Sequence, residues 1–194
     1  GVTFSDNSAE NYGGGMLLTE SSNPALTDVT FSGNLAQYGG GMYIVSSSPI
    51  LTGVTFSYNT AHSWGGGMYI VSSSDLTLIN SILWGNSPQE IYLSSSTINI
   101  SYSDIQGGWE GVGNIDLDPL FCDPDNSDFT LAENSPCVGT GQDGAKMGAL
   151  GVGCEPIITV CTDYNYIDGI SYCQSDLDVL QKFIDNSTLE GDSQ

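Results

Sequence analysis

Short runs of alternating apolar and polar residues recur along the first hundred residues, each bounded by Gly, Asn or Ser. Examples are Leu51-Thr-Gly-Val-Thr-Phe56 and Met68-Tyr-Ile-Val71. Alternation with a period of two, rich in β-branched and aromatic residues, is typical of β-strands and does not fit an amphipathic helix. This part of the chain is therefore predicted to consist of short strands and turns.

The strand-like runs belong to a repeat of 25 to 27 residues. Each copy begins with Phe, carries Asn three residues later, and continues to three glycines and a Met. The matching positions are Phe4, Phe31 and Phe56; Asn7, Asn34 and Asn59; and the triplets at 13–15, 39–41 and 65–67. A degenerate fourth copy contains Leu83 and Asn86, and a fifth begins near Ile100. A fixed period of this length with short strands predicts a solenoid with one coil per repeat.

Among solenoids and related repeats, the pattern favours a parallel β-helix. Propeller blades need roughly 40 residues or more, and leucine-rich repeats need a Leu-x-x-Leu-x-Leu pattern that is missing here. Adjacent coils of a β-helix lie about 4.8 Å apart, so equivalent residues form columns. The asparagines are predicted to form an amide ladder at a bend, comprising Asn7, Asn34, Asn59 and Asn86. The glycine columns would let successive coils turn sharply in register.

The Phe-x-x-Asn and Gly-Gly-Gly-Met motifs resemble the right-handed parallel β-helix repeats of bacterial surface proteins, including those of polymorphic outer-membrane proteins. The resemblance covers residues 1–105. It implies an all-β, right-handed parallel β-helix of about four to five coils. Such coils serve adhesins, secreted passengers and polysaccharide enzymes alike, so the resemblance implies the fold more strongly than the function.

Residues 106–156 resemble the closing segment of secreted bacterial β-helices, through Asp-Pro turns around Cys122 and the Asn-Ser-Pro-Cys137 motif. The resemblance implies a loop-rich cap over the open end of the coils. A disulfide between Cys122 and Cys137 would stabilise that cap by about 3 kcal/mol. Residues 157–194 do not show the repeat. They are expected to form a loop and one amphipathic helix, from Asp176 to Asn186, at the start of a further module.

The five cysteines all fall in the last two-fifths of the chain. Because there is no Cys-x-x-Cys pair and the single histidine, His62, is far away in sequence, zinc is disfavoured. Disulfides in an oxidising, extracellular setting are favoured instead. They are expected among Cys122, Cys137, Cys161 and Cys173, with the pairing open and one cysteine left over.

The charge of the chain is one-sided, with 23 acidic residues against two lysines and a net charge of −21. Such a surface repels nucleic acids and anionic membranes. No apolar run approaches the roughly 20 residues that cross a bilayer. Partners are therefore expected among extracellular or cell-surface glycans and proteins, with self-association also open. Since the sequence opens inside a repeat, it is expected to be a segment of a longer protein.

Catalysis is not expected from these residues. The architecture resembles pectate lyases and polygalacturonases, but lyases of that type need basic residues near the substrate. The chain has no Arg, and Lys146 and Lys182 lie outside the coils. The Gly-His-Gly and Arg-x-Lys motifs of galacturonan hydrolases are missing too. A glycosidase with two carboxylates would have to use acids that nothing in the sequence pairs, namely Asp6, Glu10, Asp28 and Asp75.

Two aromatic columns are the candidate glycan-binding residues. Tyr12, Tyr38 and Trp64 precede the glycine triplets, whereas Tyr43, Tyr69 and Tyr92 take outward positions in strands. Rings about 4.8 Å apart could form a platform for sugars, or could stack on one another and favour the register of the coils.

Aspartates clustered in residues 106–156 are candidate calcium ligands: Asp116, Asp118, Asp123, Asp125 and Asp128. Oxygen ligands suit calcium, although the same residues also form ordinary Asx turns. Asn99 and Asn186 match the glycosylation acceptor pattern, which is a frequent chance match.

Together these features predict a non-catalytic, extracellular or cell-surface β-helix module that acts as a rigid structural or adhesive surface. One alternative is a domain that binds or cleaves polysaccharides. Another is a subunit of an extracellular filament built by end-to-end stacking of coils.

Overall fold

Parallel strands stacked one repeat apart make up the first part of the chain. The structure is a computed structural model that describes residues 1–157, 164–167 and 170–173. In chain order the coil strands are β1 (Val2–Ser5), β2 (Met16–Leu18), β3 (Ala25–Thr27), β4 (Val29–Ser32), β5 (Leu35–Tyr38), β6 (Met42–Val45), β7 (Ile50–Thr52), β8 (Thr55–Ser57), β9 (Thr60–Trp64), β10 (Met68–Val71), β11 (Asp75–Ile79), β12 (Ile82–Trp84), β13 (Ile91–Ser94), β14 (Thr97–Ser101) and β15 (Asp104–Ile105).

These strands form three parallel sheets that run along the solenoid. Sheet I has the order β1-β4-β8-β12-β15, sheet II the order β2-β6-β10-β13, and sheet III the order β3-β7-β11-β14. Strands β5 and β9 pair separately, also in parallel. Neighbours within each sheet come from successive repeats, which confirms the predicted all-β parallel β-helix.

The columns predicted from the repeat are present in sheet I. Phe4 pairs with Phe31, Phe31 with Phe56, and Phe56 with Leu83. Ring centroids are 4.9 Å apart between Phe4 and Phe31 and 4.7 Å apart between Phe31 and Phe56. Sheet I has five strands, and a bridge between Asp104 and Ile115 adds a sixth level. The solenoid thus has about six turns, slightly more than the predicted four to five.

The interior is a single apolar core to which each sheet contributes one inward face. Phe31 and Phe56 from sheet I, Met42 and Met68 from sheet II, and Leu51 from sheet III are fully buried. Burying a side chain of this size contributes about 1.5–3 kcal/mol. Since every coil repeats the same inward positions, the core continues from coil to coil.

The end of the core is covered by a short loop rather than by the whole predicted cap. Trp109 packs against the interior cluster. Asn114 closes the loop, because its Oδ1 accepts from the Ser103 amide at 3.1 Å and its Nδ2 donates to the Ile100 carbonyl at 3.1 Å.

The following residues lie along the side of the solenoid. This flank segment, residues 117–157, contains β16 (Phe121–Asp123), β17 (Asp128–Ala132), β18 (Val152–Cys154) and two 3-10 helices, Pro124–Asn126 and Gln142–Gly144. Its Phe129, Leu131 and Met147 form a second core with Ile82 of sheet I. The Ala149 amide donates to Thr55 Oγ1 at 2.9 Å. As a result β4 and β8 are buried on both faces.

The disulfide predicted between Cys122 and Cys137 is wrong. Cys122 of β16 is bonded to Cys154 of β18, across strands that both pair with β17. Cys137 is a free, fully buried cysteine whose sulfur lies 3.1 Å from Asp104 Oδ2 on the solenoid. Cys137 belongs instead to the contact between the flank segment and sheet I.

Residues 158–194 belong to a second compact unit. In it β19 (Tyr164–Ile167) pairs antiparallel with β20 (Ile170–Cys173). The loop predicted over the first of these strands is wrong, although Asp168-Gly169 between two alternating runs is a common hairpin signal. The described part of the chain does not include the predicted helix from Asp176 to Asn186. It also does not include Cys161 or the side chain of Cys173. In the described part of the chain, no helix is long and apolar enough to span a membrane.

Candidate functional site

The two predicted aromatic columns lie side by side and form one surface, the aromatic strip. Its outer column comprises Tyr12, Tyr38 and Trp64, and its inner column comprises Tyr43, Tyr69 and Tyr92. Rings of the two columns also touch, with centroid distances of 4.7 Å for Tyr12 and Tyr43, and 5.5 Å for Trp64 and Tyr92. The repeat therefore builds a strip two rings wide and three rings long.

The inner column is tightly stacked. Tyr69 lies 5.0 Å from Tyr43 and 4.8 Å from Tyr92, with interplanar angles of 7° and 11°. Burial, reinforced by the neighbouring tyrosines, raises the pKa of Tyr43 and Tyr69 above the usual value. The hydroxyls thus stay protonated. Because the faces of these rings cover one another, the inner column offers ring edges and hydroxyl groups to a partner.

The outer column is looser and more exposed. Tyr38 lies 5.8 Å from Tyr12 and 5.9 Å from Trp64, with tilts of 24° and 31°. Tyr12 is 48% exposed and Trp64 is 46% exposed. These two rings are therefore the best placed in the strip for stacking against a ligand.

The glycine triplets position the strip by forcing a tight bend between its two columns. Gly39 and Gly65 have φ of 66° and 70°, in the left-handed region. A Cβ on either would lie 2.5 Å or less from a backbone oxygen of the following strand. Only glycine fits this bend without strain, so the triplets at 39–41 and 65–67 connect the outer rings to the strands that carry Tyr43 and Tyr69.

The predicted amide ladder is present in the bend that follows the strands of sheet I, next to the third glycine of each triplet. The Nδ2 groups donate to the next Oδ1 at 3.0 Å from Asn7 to Asn34, 2.8 Å from Asn34 to Asn59, and 2.8 Å from Asn59 to Asn86. The same amides also donate to carbonyls of the preceding coil, such as Asn59 Nδ2 to the Phe31 oxygen at 2.9 Å. Each buried asparagine is thereby fully paired.

The ladder ends on a carboxyl group that the sequence did not reveal. Glu90 lies in the column of the third glycines, since its carbonyl accepts from Met68 as the Gly67 carbonyl accepts from Met42. A side chain at Gly67 would meet the Asn86 amide at 3.3 Å. The fifth coil has Gly108 where the ladder would continue, which leaves room for the Glu90 side chain. The sequence carried one signal of this site: Glu90 interrupts the column of third glycines, and Gly108 interrupts the asparagine column one coil later.

Glu90 takes the place of a fifth asparagine. Its Oε1 accepts from the Asn86 amide at 3.0 Å, and its Oε2 accepts from Asn86 Nδ2. The residue is 8% exposed. Burial raises the pKa of this carboxyl to about 7, although the hydrogen bonds from Asn86 oppose the rise. Glu90 therefore titrates in the neutral range.

Glu90→Gln is expected to change how stability depends on pH. The raised pKa means that the folded state holds a proton that the unfolded state loses above about pH 4.5, so wild-type stability falls as pH rises towards 7. The side-chain carbonyl that the substitution introduces can accept both bonds, as each ladder oxygen already does. As the pH rises from 4.5 to 8, we expect the stability of the variant relative to wild type to increase by about 3 kcal/mol, measured by urea unfolding. Glu10→Gln, which removes an exposed carboxylate, should show no such gain, and an equal gain there would contradict the assignment.

A second buried acid joins the flank segment to the solenoid. Asp104 is fully buried, and its Oδ2 accepts from the Cys137 thiol while its Oδ1 accepts from the Leu117 amide at 3.2 Å. Burial raises the pKa of Asp104 to about 6, with a smaller contribution from Asp116 and Asp118. Burial also raises the pKa of the Cys137 thiol, which makes the thiol a poor nucleophile.

The acids considered for catalysis remain scattered. All four are exposed: Asp6, Glu10, Asp28 and Asp75. Asp28 pairs with Lys146 at 3.4 Å, and Asp75 accepts from Thr97 Oγ1 at 2.7 Å. Two open clefts of about 290 Å³ and 240 Å³ lie elsewhere, and each is lined by a single carboxylate, Glu90 in the first and Asp118 in the second.

The aspartates considered for calcium are not gathered into one site. Within the described residues, no group of three or more acidic, His or Cys side chains could hold a metal ion. Asp118 and Asp128 cap their own turns, accepting from Leu120 and Thr130 amides at 2.9 Å and 3.0 Å. Asp116 accepts from Gly107, and Asp123 accepts from Asn126. The contacts of Asp118 and Asp128 are the Asx-turn chemistry that the sequence left open as the alternative.

The coils, columns and bends together define a parallel β-solenoid repeat protein. Residues 1–113 match the family model described as "Right handed beta helix region". Since this match covers more than half of the chain, the protein belongs to the right-handed β-helix family. No curated protein and no solved structure matches the chain.

Proposed function

We propose that this chain is a non-catalytic, extracellular or cell-surface β-helix module that acts as a rigid adhesive surface. The aromatic strip carries the proposal. Backbone hydrogen bonds between coils hold its rings in place before any partner arrives. A preorganised surface loses little conformational entropy on binding, which favours affinity.

The chemistry of the aromatic strip suits a neutral glycan. Tyrosine hydroxyls along the inner column can exchange hydrogen bonds with sugar hydroxyls, and the half-exposed rings of Tyr12 and Trp64 can stack on sugar faces. Rings repeat every 4.8–5.9 Å along the columns, a spacing suited to a ligand with its own short repeat. The net charge of −21 disfavours polysaccharides rich in carboxylates or sulfates.

The distribution of acids supports a binding rather than a cleaving role. Glycosidases of the common type need two carboxyl groups facing one bond. Neither open cleft is lined by two, and Asp104 is sequestered against Cys137. The Cys122–Cys154 disulfide supports an oxidising, extracellular location, because disulfides are rare in reducing compartments.

Loss of outer-column rings is expected to weaken glycan binding. A glycan array with the full chain would identify a neutral glycan ligand, and affinity for it would then be measured by calorimetry. Since truncation of an aromatic anchor commonly costs about 2 kcal/mol or more, we expect the Tyr12→Ala, Trp64→Ala double variant to bind at least about 30-fold more weakly.

Ile50→Ala provides the matched control for this experiment. Ile50 is 52% exposed and lies on sheet III, away from the aromatic strip. Its loss should leave binding unchanged. Equal weakening by both variants, or the absence of any bound glycan, would count against the adhesive proposal. Release of reducing sugar from a polysaccharide would overturn the non-catalytic part.

A further inference from the structure

A cleft of about 240 Å³ opens between the outer face of sheet I and the flank segment. This flank cleft is separate from the aromatic strip. Its lining combines aromatic rings, aliphatic side chains and one carboxylate: Tyr58, Trp84, Asp118, Leu120, Phe121, Pro124 and Ile157.

Two bulky residues in the walls of the flank cleft have a strained backbone conformation. Tyr58 has φ of 54° and Leu120 has φ of 51°, both in the left-handed region that bulky residues avoid. Among large apolar or aromatic residues in the described part of the chain, only Tyr102 shares this conformation. The neighbouring coils have Gly33 and Gly85 in the position of Tyr58. A bulky residue that keeps a strained backbone conformation, where glycine would adopt it without strain, is typical of functional sites.

The charged side chains at the flank cleft are negative. Asp118 lines the cleft, and Asp125 is the residue after Pro124, which also lines it. Burial, with these two carboxylates, raises the pKa of the Tyr58 hydroxyl. Lys146 is the one Lys or Arg in residues 1–157, and it is occupied by Asp28 and by the Gly148 and Ala149 carbonyls. No basic side chain from that range therefore neutralises the cleft.

We propose that the flank cleft binds an alkylammonium group, either a quaternary amine or the side-chain ammonium of a lysine. Aromatic faces attract such cations through the ring quadrupole, and the attraction grows when the site is partly desolvated. Tyr58 and Trp84 supply the rings, Leu120 and Phe121 contact the alkyl part, and Asp118 supplies the opposite charge. The contact between Tyr58 and Phe129, at 6.1 Å, holds the Tyr58 ring at the edge of the cleft.

The test is a titration of the full chain followed by NMR at the Trp84 indole N–H. Choline and the N-methylamide of Nα-acetyl-lysine represent the two sources of the ammonium group. The neutral isostere of choline, 3,3-dimethylbutan-1-ol, measures apolar binding alone. We expect at least one ammonium ligand to shift Trp84 saturably and to bind about tenfold or more tightly than the alcohol, without shifting Trp64 or Trp109.

Variants then locate the site. Asp118→Asn keeps the turn bond to Leu120 but removes the charge, and it should weaken ammonium binding at least about fivefold. Asp128→Asn, a matched change outside the cleft, should leave binding unchanged. Tyr58→Gly removes the ring while relieving the left-handed strain, so it should abolish binding, and circular dichroism checks that the variant stays folded. Equal affinity for choline and the alcohol would overturn the proposal, as would equal weakening in the two Asp→Asn variants. Retained binding in Tyr58→Gly would overturn it too.

Discussion

Phe31→Ala is expected to lower the free energy of unfolding by about 4 kcal/mol, within the usual 3–5 kcal/mol for buried Phe→Ala changes. Phe31 is fully buried and its ring is stacked on both sides, against Phe4 and Phe56. Its removal opens a cavity in the middle of a column and breaks two ring contacts. Urea unfolding followed by circular dichroism measures the change.

The chain supplies its own control for this substitution. Leu83 occupies the Phe column one coil after Phe56 and is fully buried there. Phe31→Leu should therefore cost much less, about 1.5 kcal/mol or under. If Phe31→Ala cost no more than Phe31→Leu, the ring would not be stacked in a packed interior.

Asn59→Ala is expected to cost about 4 kcal/mol, since several buried groups lose a hydrogen bond at about 1–3 kcal/mol each. Asn59 Oδ1 accepts from the Asn34 backbone amide at 3.0 Å and from Asn34 Nδ2 at 2.8 Å. Its own Nδ2 donates to Asn86 and to the Phe31 carbonyl. Chemical denaturation measures the loss.

Asn7→Ala is the matched change at the exposed end of the ladder. Asn7 is exposed, and its side chain donates to Asn34 alone. We expect a loss of about 1 kcal/mol or less. Similar losses at both positions would mean that the ladder does not act as a buried, connected unit.

Sequence periodicity predicted those parts of the fold that depend on contacts between identical positions. Phe, Asn and Gly recur at fixed offsets, and stacking places each residue on its equivalent in the next coil. The columns could therefore be predicted from the sequence. The aromatic columns were predictable as rows for the same reason. Their ring tilts were not, because tilt depends on how Tyr38 packs against both Tyr12 and Tyr69.

The flank segment could not be placed from sequence because it contains no repeat. Its position depends on contacts between different residues, such as Met147 with Ile82 and Ala149 with Thr55. The only sequence feature related to this packing was the set of threonines in sheet I that the flank segment buries. In the sequence these threonines resemble exposed strand positions. The Cys122–Cys154 bond depends on the same packing, since cysteine spacing alone does not determine connectivity.

Aromatic cross-relaxation in the folded protein tests whether residues one repeat apart are in contact. With assigned Phe ring protons, we expect NOE cross-peaks from Phe31 to both Phe4 and Phe56, whose ring centroids lie 4.9 Å and 4.7 Å away. We also expect cross-peaks between Phe121 and Phe129, at 5.4 Å, and none between Phe31 and Phe121. A folded protein without cross-peaks between Phe31 and Phe56 would contradict the stacked solenoid.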